Sequence, residues 1–324
     1  MGVDSDLFHA CRCCGRGEVI KKIVEANPKL AANKDIHNNT ALHIACENGM
    51  PVDGIQCLYS AYPEALSMHN DEGASPFHMM CFHGKSVENL KFLQGTYPMG
   101  LVTANKNGDL PMHWINEDAS EEVVKYLLEQ FPGSAMVKNK DGILPIHVAC
   151  NKGLCLNVIR LLHEAHPAGF LDPDKDGMFS IHDACRDNPS LELLRFFHEA
   201  SPELFQKANK KGNLALHCVV DSNLEVVQFV VDANKIALQT PNKQGYLPIH
   251  RACSHSADLC VIKALQENYP EGIKSKTLKG LLPFHLAIGS LSALSYLHEL
   301  FDEAIKIPDK RGRYAIHIAS EKGT

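Results

Sequence analysis

The chain has 324 residues, of which 45% are hydrophobic, and it carries a formal net charge of −6 at pH 7. The negative charge argues against an overall electrostatic match to nucleic acid, and no uninterrupted apolar stretch reaches the roughly 18 residues of a membrane-spanning helix. The opening residues, MGVDSDLFHACRCC, lack the basic start and the apolar run of a secretory signal. We therefore expect reduced cysteines and a cytoplasmic protein, with the nucleus as the alternative compartment.

Residues 1–34 form the first element, which we predict to be an N-terminal cap. The string DLFHAC places Phe8 where later units carry a histidine, and Lys21 and Lys22 put polar side chains on the second helix. The string HACRCC at 9–14 leaves a metal-binding or redox role open. The alternative is that these are N-terminal thiols without such a role.

From residue 35 onward, one string returns at a nearly constant interval. Histidines stand in boxes such as TALHIAC, LPIHVAC and FSIHDAC, with successive spacings of 32 to 35 residues. They are His43, His78, His113, His147, His182, His217, His250, His285 and His317. A fixed period of this length is the signature of a small unit stacked many times.

Each unit carries the same turn and helix signals. Five residues before the histidine stands a Gly, or Asn38 in the first full unit, which predicts a turn with positive φ; Asn or Asp recurs three residues earlier. Proline often stands two residues before the histidine, where a short helix begins. A second, amphipathic helix follows, as at 120–131, 155–166 and 190–201.

The ends of the second helices are also marked. The predicted N-caps are serines, at Ser86, Ser120 and Ser190. The residues predicted to end the second helices are prolines, at Pro63, Pro98, Pro132, Pro167, Pro202 and Pro270. We expect one continuous array over 1–324. After the cap, its full units are 35–69, 70–104, 105–138, 139–173, 174–208, 209–241, 242–276 and 277–308, followed by the half unit 309–324.

A turn, helix, turn, helix unit of this period around a TPLH-like box resembles the ankyrin repeat, and the resemblance covers essentially the whole chain. It implies an all-α solenoid in which the histidines bond the neighbouring turn, and in which turn tips and first helices line a shallow concave face. The sequence departs from the family where Leu replaces the Thr of the box and where Pro replaces the usual Gly-Ala-Asp run. The unit 105–138 also lacks the Cys and the second Gly.

The histidine and cysteine columns resemble metal-binding or catalytic residues in type, but their spacing does not fit such sites. Two ligands of one zinc ion lie within about 4 Å, whereas histidines of stacked units stand about 10 Å apart, so we expect no shared metal. The cysteines three residues after the histidine position predict core thiols: Cys11, Cys46, Cys81, Cys150, Cys185 and Cys253. Gly84-Lys85-Ser86 resembles the end of a P-loop, but Met79 stands where the motif needs Gly, so we expect no nucleotide or other cofactor.

The segment 172–183, DPDKDGMFSIHD, is the strongest metal pattern in the chain. Asp172, Asp174, Asp176 and Asp183 fit the spacing of a calcium loop, with Asp in place of the bidentate Glu. The repeat turn already requires several of these residues, and Asp183 should lie on a first helix. Calcium binding through this segment therefore stays an alternative to an ordinary turn.

Candidate partner-binding residues lie in one slot, four residues before the histidine. It holds Ile143, Met178, Tyr246 and Leu281, and the resemblance implies partial exposure on the concave face. Packing between neighbouring turns is the competing interpretation. Phe82 and His83 join this surface by position, whereas core packing is the favoured interpretation for Trp114, the only Trp.

Lysines at the turn tips form a basic row along one edge. We include Lys175, Lys210 and Lys243 among the candidate contacts, because basic tips can steer an acidic partner. A solvated turn is the alternative, and no aromatic side chains are interleaved for base stacking.

Together these features predict a monomeric scaffold or adaptor that binds a partner protein on its concave face and performs no catalysis. Part of that prediction is analogy at the level of the fold. The alternatives are a segment of a larger multidomain protein and a calcium-responsive binder.

Overall fold

The computed structural model describes residues 3–13, 17–186 and 189–322 and is all-helical over these ranges. The chain divides into two compact units, Met1–Gly169 and Phe170–Thr324, each of which spans several of the short sequence units. We call these two the first unit and the second unit. In the described part of the chain, the only extended pairing is an isolated antiparallel bridge between Lys34 and Thr40. The described helices include none long and apolar enough to cross a membrane.

The first unit contains nine α-helices in the described residues. They are α1 (Val3–Arg12), α2 (Gly17–Ala26), α3 (Ala41–Glu47), α4 (Val52–Ala61), α5 (Pro76–His83), α6 (Val87–Thr96), α7 (Glu121–Gln130), α8 (Pro145–Asn151) and α9 (Leu156–Ala165). Two layers result, since α1, α3, α5 and α8 pack in one row with the 3-10 helix Pro111–Trp114 between the last two. The helices α2, α4, α6, α7 and α9 pack in the other row.

The second unit has the same two layers. Its helices are α10 (Ser180–Ala184), α11 (Leu191–Ala200), α12 (Ala215–Cys218), α13 (Leu224–Ala233), α14 (Pro248–Ser254), α15 (Leu259–Asn268), α16 (Pro283–Leu286), α17 (Leu291–Leu300) and α18 (Ala315–Lys322). The even-numbered helices pack on one another in chain order, and α11, α13, α15 and α17 do the same.

The serine caps and proline stops are confirmed. The hydroxyls of Ser86, Ser120 and Ser190 accept hydrogen bonds from the N–H groups of Asn89, Val123 and Leu193. Each second helix that is followed by proline ends two residues before it. That proline opens a short 3-10 helix, which the sequence did not predict: Pro28–Ala32, Pro63–Ser67, Pro98–Val102, Pro132–Met136, Pro167–Leu171, Pro202–Gln206 and Pro270–Lys274. The segments Lys235–Gln239 and Asp302–Lys306 do so without proline, and Ala287–Gly289 is a further 3-10 turn.

One predicted first helix is reduced to a single 3-10 turn, Pro111–Trp114 in unit 105–138. Asn116 occupies the slot that holds a buried cysteine in neighbouring units. Its carbonyl accepts the N–H of Ala119, and its side-chain oxygen accepts the N–H of Asp118. Because a short polar side chain competes for backbone amides, the chain turns at Asn116 instead of extending the helix.

The turn glycines have the backbone conformation that their spacing predicts. Asn38 has φ 61°, and the glycines five residues before a histidine have φ between 71° and 81°. They are Gly73, Gly108, Gly142, Gly177, Gly212, Gly245, Gly280 and Gly312. Positive φ at this slot turns the chain into the first helix at low cost only for Gly or Asn.

Candidate functional site

Seven of the nine histidines in the column link their box to a backbone carbonyl in or just before the next turn. In the box of His43, Nδ1 accepts the N–H of Thr40 at 3.3 Å, and Nε2 donates to the carbonyl of Ala74 at 3.2 Å. The same Nε2 bond to a following carbonyl occurs at 2.9 to 3.2 Å for His78, His113, His182, His217, His250 and His285. These distances confirm the structural role predicted for the column.

These bonds also fix the protonation state of the buried rings. A backbone N–H can only donate and a carbonyl can only accept, so Nδ1 carries no proton and Nε2 carries one. Burial lowers the pKa of His43, His78, His217 and His250 to about 4. The hydrogen bond from Nε2 to a backbone carbonyl raises the pKa and offsets part of this effect. Neutral rings with both nitrogens engaged are not available as bases or metal ligands.

The cysteine column is buried as predicted. Its members are 0% to 3% exposed: Cys11, Cys46, Cys81, Cys150, Cys185 and Cys253. Burial raises the pKa of the Cys11 and Cys253 thiols to about 12. Because the thiolate is the reactive form, these side chains behave as small apolar groups.

The N-terminal string HACRCC is only partly described. Cys13 is exposed, and its Sγ lies 3.3 Å from Nε2 of His9; Cys14 lies outside the described residues. Over the described ranges, no three His, Cys, Asp or Glu side chains gather where they could hold a metal ion.

The segment 172–183 is built as a repeat turn. Oδ1 of Asp174 accepts the N–H groups of Asp176 and Met178, and Gly177 has φ 71°. Asp183 lies on α10 and is 7% exposed, and burial raises the pKa of its carboxyl to about 7. The first-helix position predicted for Asp183 is confirmed, and the calcium alternative gains no support from this arrangement.

The Gly-Lys-Ser string at 84–86 lies between α5 and α6. Gly84 caps α5 with φ 66°, Ser86 caps α6, and the Lys85 ammonium pairs with Asp118 at 2.8 Å on the surface. This geometry is a turn between two helices.

The four residues of the proposed contact row divide into two groups. Ile143, Met178 and Tyr246 are half-buried, whereas Leu281 is 7% exposed, so the exposure expected for Leu281 is wrong. Leu281 lies in a turn in which the carbonyl of Lys279 accepts the N–H of Lys310 from the next turn. An apolar side chain packed there is removed from water, which stabilises the folded chain.

Elsewhere in this slot, side chains join neighbouring turns. Asn39, Asp109 and Asn213 accept a hydrogen bond from the side-chain amide of the next turn's Asn at 2.7 to 2.9 Å. Met178 Sδ accepts one from Asn209 at 3.3 Å, and the Tyr246 ring packs against His250. These contacts favour the packing interpretation of the slot, while leaving three partly exposed apolar side chains.

The candidate lysines are exposed and belong to a regular turn contact. Lys175, Lys210 and Lys243 all face solvent. The stem of Lys210 lies against Gly177, and its ammonium donates to the carbonyl of Lys175. The lysine side chain thus covers the preceding turn while its charge stays at the surface.

Phe82 and Trp114 form an aromatic pair on the first-helix layer of the first unit. Phe82 is 44% exposed and Trp114 is half-buried, with ring centroids 6.4 Å apart in an edge-to-face arrangement. Trp114 also packs edge-on against the buried His78 at 5.4 Å. His83 turns away and lies against Gly49, where a Cβ would meet its ring at 1.8 Å. Of the predicted contact residues, Phe82 therefore has the largest exposed aromatic surface.

A groove between α11 and α13 was not predicted. It has a volume of about 550 Å³ and is lined by Leu191, Arg195, Leu224, Glu225, Gln228, Phe229 and Asp232. Arg195 lies over the Phe229 ring at 5.6 Å. Its lining includes the first residues of α11 and α13, Leu191 and Leu224, but α9, α15 and α17 also begin with Leu, so the sequence offers no signal specific to this groove.

Comparison with known proteins adds no identification. No family model matches the chain, and no curated protein matches it at a significant level.

Proposed function

We propose that this chain is an ankyrin-type binding module that holds a partner protein and performs no chemistry of its own. The recurring turn and helix units, the positive-φ turns and the histidine bonds between successive boxes support that family assignment. The engaged, neutral histidines and the buried thiols support a role without catalysis. A reducing compartment, the cytoplasm or the nucleus, belongs to the proposal, because the buried cysteines serve as apolar packing.

The observation that carries the proposal is the Phe82–Trp114 pair. Large aromatic side chains held in place by packing lose little entropy on binding and are over-represented among residues that dominate interface energies. Here Trp114 is fixed by His78, and Phe82 presents its ring to solvent.

The surroundings of this pair indicate the chemistry of the partner. Glu47 and Glu117 occupy the position of Phe82 in the two neighbouring boxes, four residues after the histidine, and both are exposed. An aromatic centre between acidic positions fits a partner surface with an apolar side chain and basic neighbours. Ile143, which is half-buried, is the other apolar contact candidate in the first unit.

Removing the exposed ring should weaken partner binding while leaving the fold intact. We expect Phe82→Ala to lower the affinity for the partner at least about tenfold, the size of a modest hot-spot residue. The measurement is affinity capture from native lysate with immobilised wild-type chain, identification of the captured protein, and titration of that protein against each variant. Met99→Ala is the matched control, since Met99 is an exposed apolar residue of the same unit in a 3-10 helix, with 59% exposure.

Three outcomes are informative. A partner lost by Phe82→Ala and kept by Met99→Ala supports an aromatic anchor on the first-helix layer. Equal retention by both variants removes Phe82 from the site, and then Ile143→Ser tests the remaining apolar position. If wild-type chain captures no protein above the level of the bare matrix, the binding proposal itself is wrong.

A further inference from the structure

The turns of the second unit lie side by side in one hydrogen-bonded row. Each turn is joined to the preceding one by a backbone N–H that donates to a carbonyl at 3.0 to 3.2 Å. These bonds run from Lys210 to Asp176, from Lys243 to Lys211, from Leu278 to Gln244 and from Lys310 to Lys279. The row therefore holds its tip side chains at fixed spacing.

Close approach between the turns makes this row rigid. A Cβ on Gly245 would lie 2.6 Å from the backbone N of Leu278, and one on Gly212 would lie 2.7 Å from the backbone N of Lys243. The glycine backbone therefore lies directly against the next turn, which leaves little room for one turn to slide against its neighbour. The tip charges are thus arranged before any ligand arrives, which reduces the entropy that binding has to overcome.

The row is strongly basic, in contrast to the chain as a whole. We define the basic turn row as the two tip residues of each turn, at 175–176, 210–211, 243–244, 278–279 and 310–311. These ten positions hold seven Lys or Arg and one Asp, a net charge of +6, within a chain whose net charge is −6. All ten side chains are exposed.

Turn geometry does not require this charge. The first unit has the same ladder of backbone hydrogen bonds. The N–H of Lys106 donates to the carbonyl of Glu72, and the N–H of Lys140 donates to the carbonyl of Asn107. Its tip positions at 36–37, 71–72, 106–107 and 140–141 hold two Lys against three acidic residues, a net charge of −1. The basic character therefore belongs to the second unit alone and calls for an explanation other than folding.

An apolar residue stands inside the row. Leu278 occupies the tip position that is Lys in the turns before and after it, Lys243 and Lys310, and it is 62% exposed. The ten tip positions hold no aromatic side chain on which a base could stack. A mixture of lysines and one exposed leucine fits carboxylates around an apolar side chain better than it fits a run of phosphates.

We propose that the basic turn row binds an extended, acidic protein segment that sets an apolar side chain against Leu278. Adjacent turns stand about 10 Å apart, so the five turns span about 40 Å, which an extended chain covers with about 12 residues. This inference rests on the proposed protein-binding function and names the class of segment bound. It concerns a surface of the second unit, and its test does not involve the Phe82–Trp114 pair.

The test is fluorescence anisotropy with the full chain and a labelled 12-residue peptide of Glu and Asp with one central Leu. We expect saturable binding that weakens as salt increases. The variant Lys211→Gln/Lys243→Gln/Lys279→Gln should bind at least about tenfold more weakly, because long-range attraction and rim contacts are both lost. The variant Leu278→Ser should bind about fivefold more weakly through loss of apolar contact.

The matched control removes the same charge elsewhere in the second unit. The variant Lys235→Gln/Lys263→Gln/Lys306→Gln changes three exposed lysines outside the row and should keep the wild-type affinity. If both triple variants lose affinity for the peptide equally, net charge alone explains the effect and the proposed site is wrong. Absence of peptide binding at low salt would overturn it as well. Tighter binding of a 12-nucleotide single strand than of the peptide would replace the acidic segment with a nucleic acid. In each of these cases, Phe82→Ala would still test the proposed function separately.

Discussion

Lowering the pH from 7 to about 5 should destabilise this protein steeply, because its buried histidines must be neutral to fold. His43, His78, His217 and His250 have folded-state pKa values of about 4, against 6.5 for the ordinary side chain. Burial also lowers the pKa of His113, His182 and His285. Protonation of Nδ1 would abolish the bond that it accepts from the backbone.

The sign of the effect follows from proton counting. Between pH 6.5 and about 4, the unfolded chain binds a proton at each of these histidines and the folded chain does not, so stability falls as the pH falls. The contribution of each ring is complete above pH 6.5 and is lost progressively down to its folded pKa, at about 1.4 kcal/mol per pH unit. Two carboxyls act in the opposite sense, because burial raises the pKa of Glu47 and raises that of Asp183 to about 7, so acid favours their folded form; they are two groups against seven histidines.

The measurement is urea unfolding followed by circular dichroism at several pH values between 7 and 5. Most of a typical free energy of unfolding, roughly 5 to 15 kcal/mol for a domain, would be lost between pH 7 and 5. His217→Gln should reduce the number of protons taken up on unfolding by about one. His37→Gln, at an exposed histidine outside the column, is the matched control for the substitution itself. A free energy of unfolding that is flat between pH 7 and 5 would contradict the assignment of neutral, bonded rings.

The turns and helix ends could be predicted because each is fixed by local chemistry. Gly177 and Asn38 must be Gly or Asn to reach positive φ, Ser120 must offer an oxygen to an N–H, and Pro132 cannot continue a helix. Such signals lie within a few residues of the feature they determine. The helical periodicity of 120–131 needed no tertiary information either.

The 3-10 helices could not be predicted from those signals. Each one that comes after a second helix follows a residue such as Phe131, with φ −144° and ψ 81°, a conformation that tolerates many side chains and leaves no signature. The five residues after it are too few to show a helical period. Their position is set by tertiary packing, as at Phe170, which lies within 4.8 Å of the Phe197 ring centroid.

The sequence predicted which positions form the candidate site, but it predicted the exposure of their side chains only in part. The slot of Ile143 and Leu281 is one register position, yet burial differs between the two because it depends on how the next turn packs. Trp114, for which the sequence favoured core packing, is only half-buried, because the box that carries it ends after one 3-10 turn. A register position identifies which residues are equivalent, but exposure also depends on neighbours about 30 residues away, one repeat period along the chain.

Adding one methyl group at Gly84 should destabilise the first unit by about 2 to 4 kcal/mol. Gly84 has φ 66°, and a Cβ there would lie 2.6 Å from Cα and 2.9 Å from Cβ of Ala119. The backbone at Ala119 cannot retreat easily, since the carbonyl of Gly84 accepts the N–H of Ser120 at 2.8 Å and Ser120 caps α7. The substitution Gly84→Ala therefore combines left-handed strain with a backbone clash.

Gly153 provides the control that separates these two costs. It occupies the corresponding turn between α8 and α9 with φ 63°, and a Cβ there would meet nothing within 4 Å. Gly153→Ala should therefore cost only the left-handed strain, about 1 kcal/mol. Urea unfolding at neutral pH gives both values. Equal losses for the two variants would mean that Ala119 yields to the added methyl group. A larger loss at Gly84 would establish that the junction between α5 and α7 is held by backbone contact, so that the Phe82–Trp114 pair stands on a rigid support.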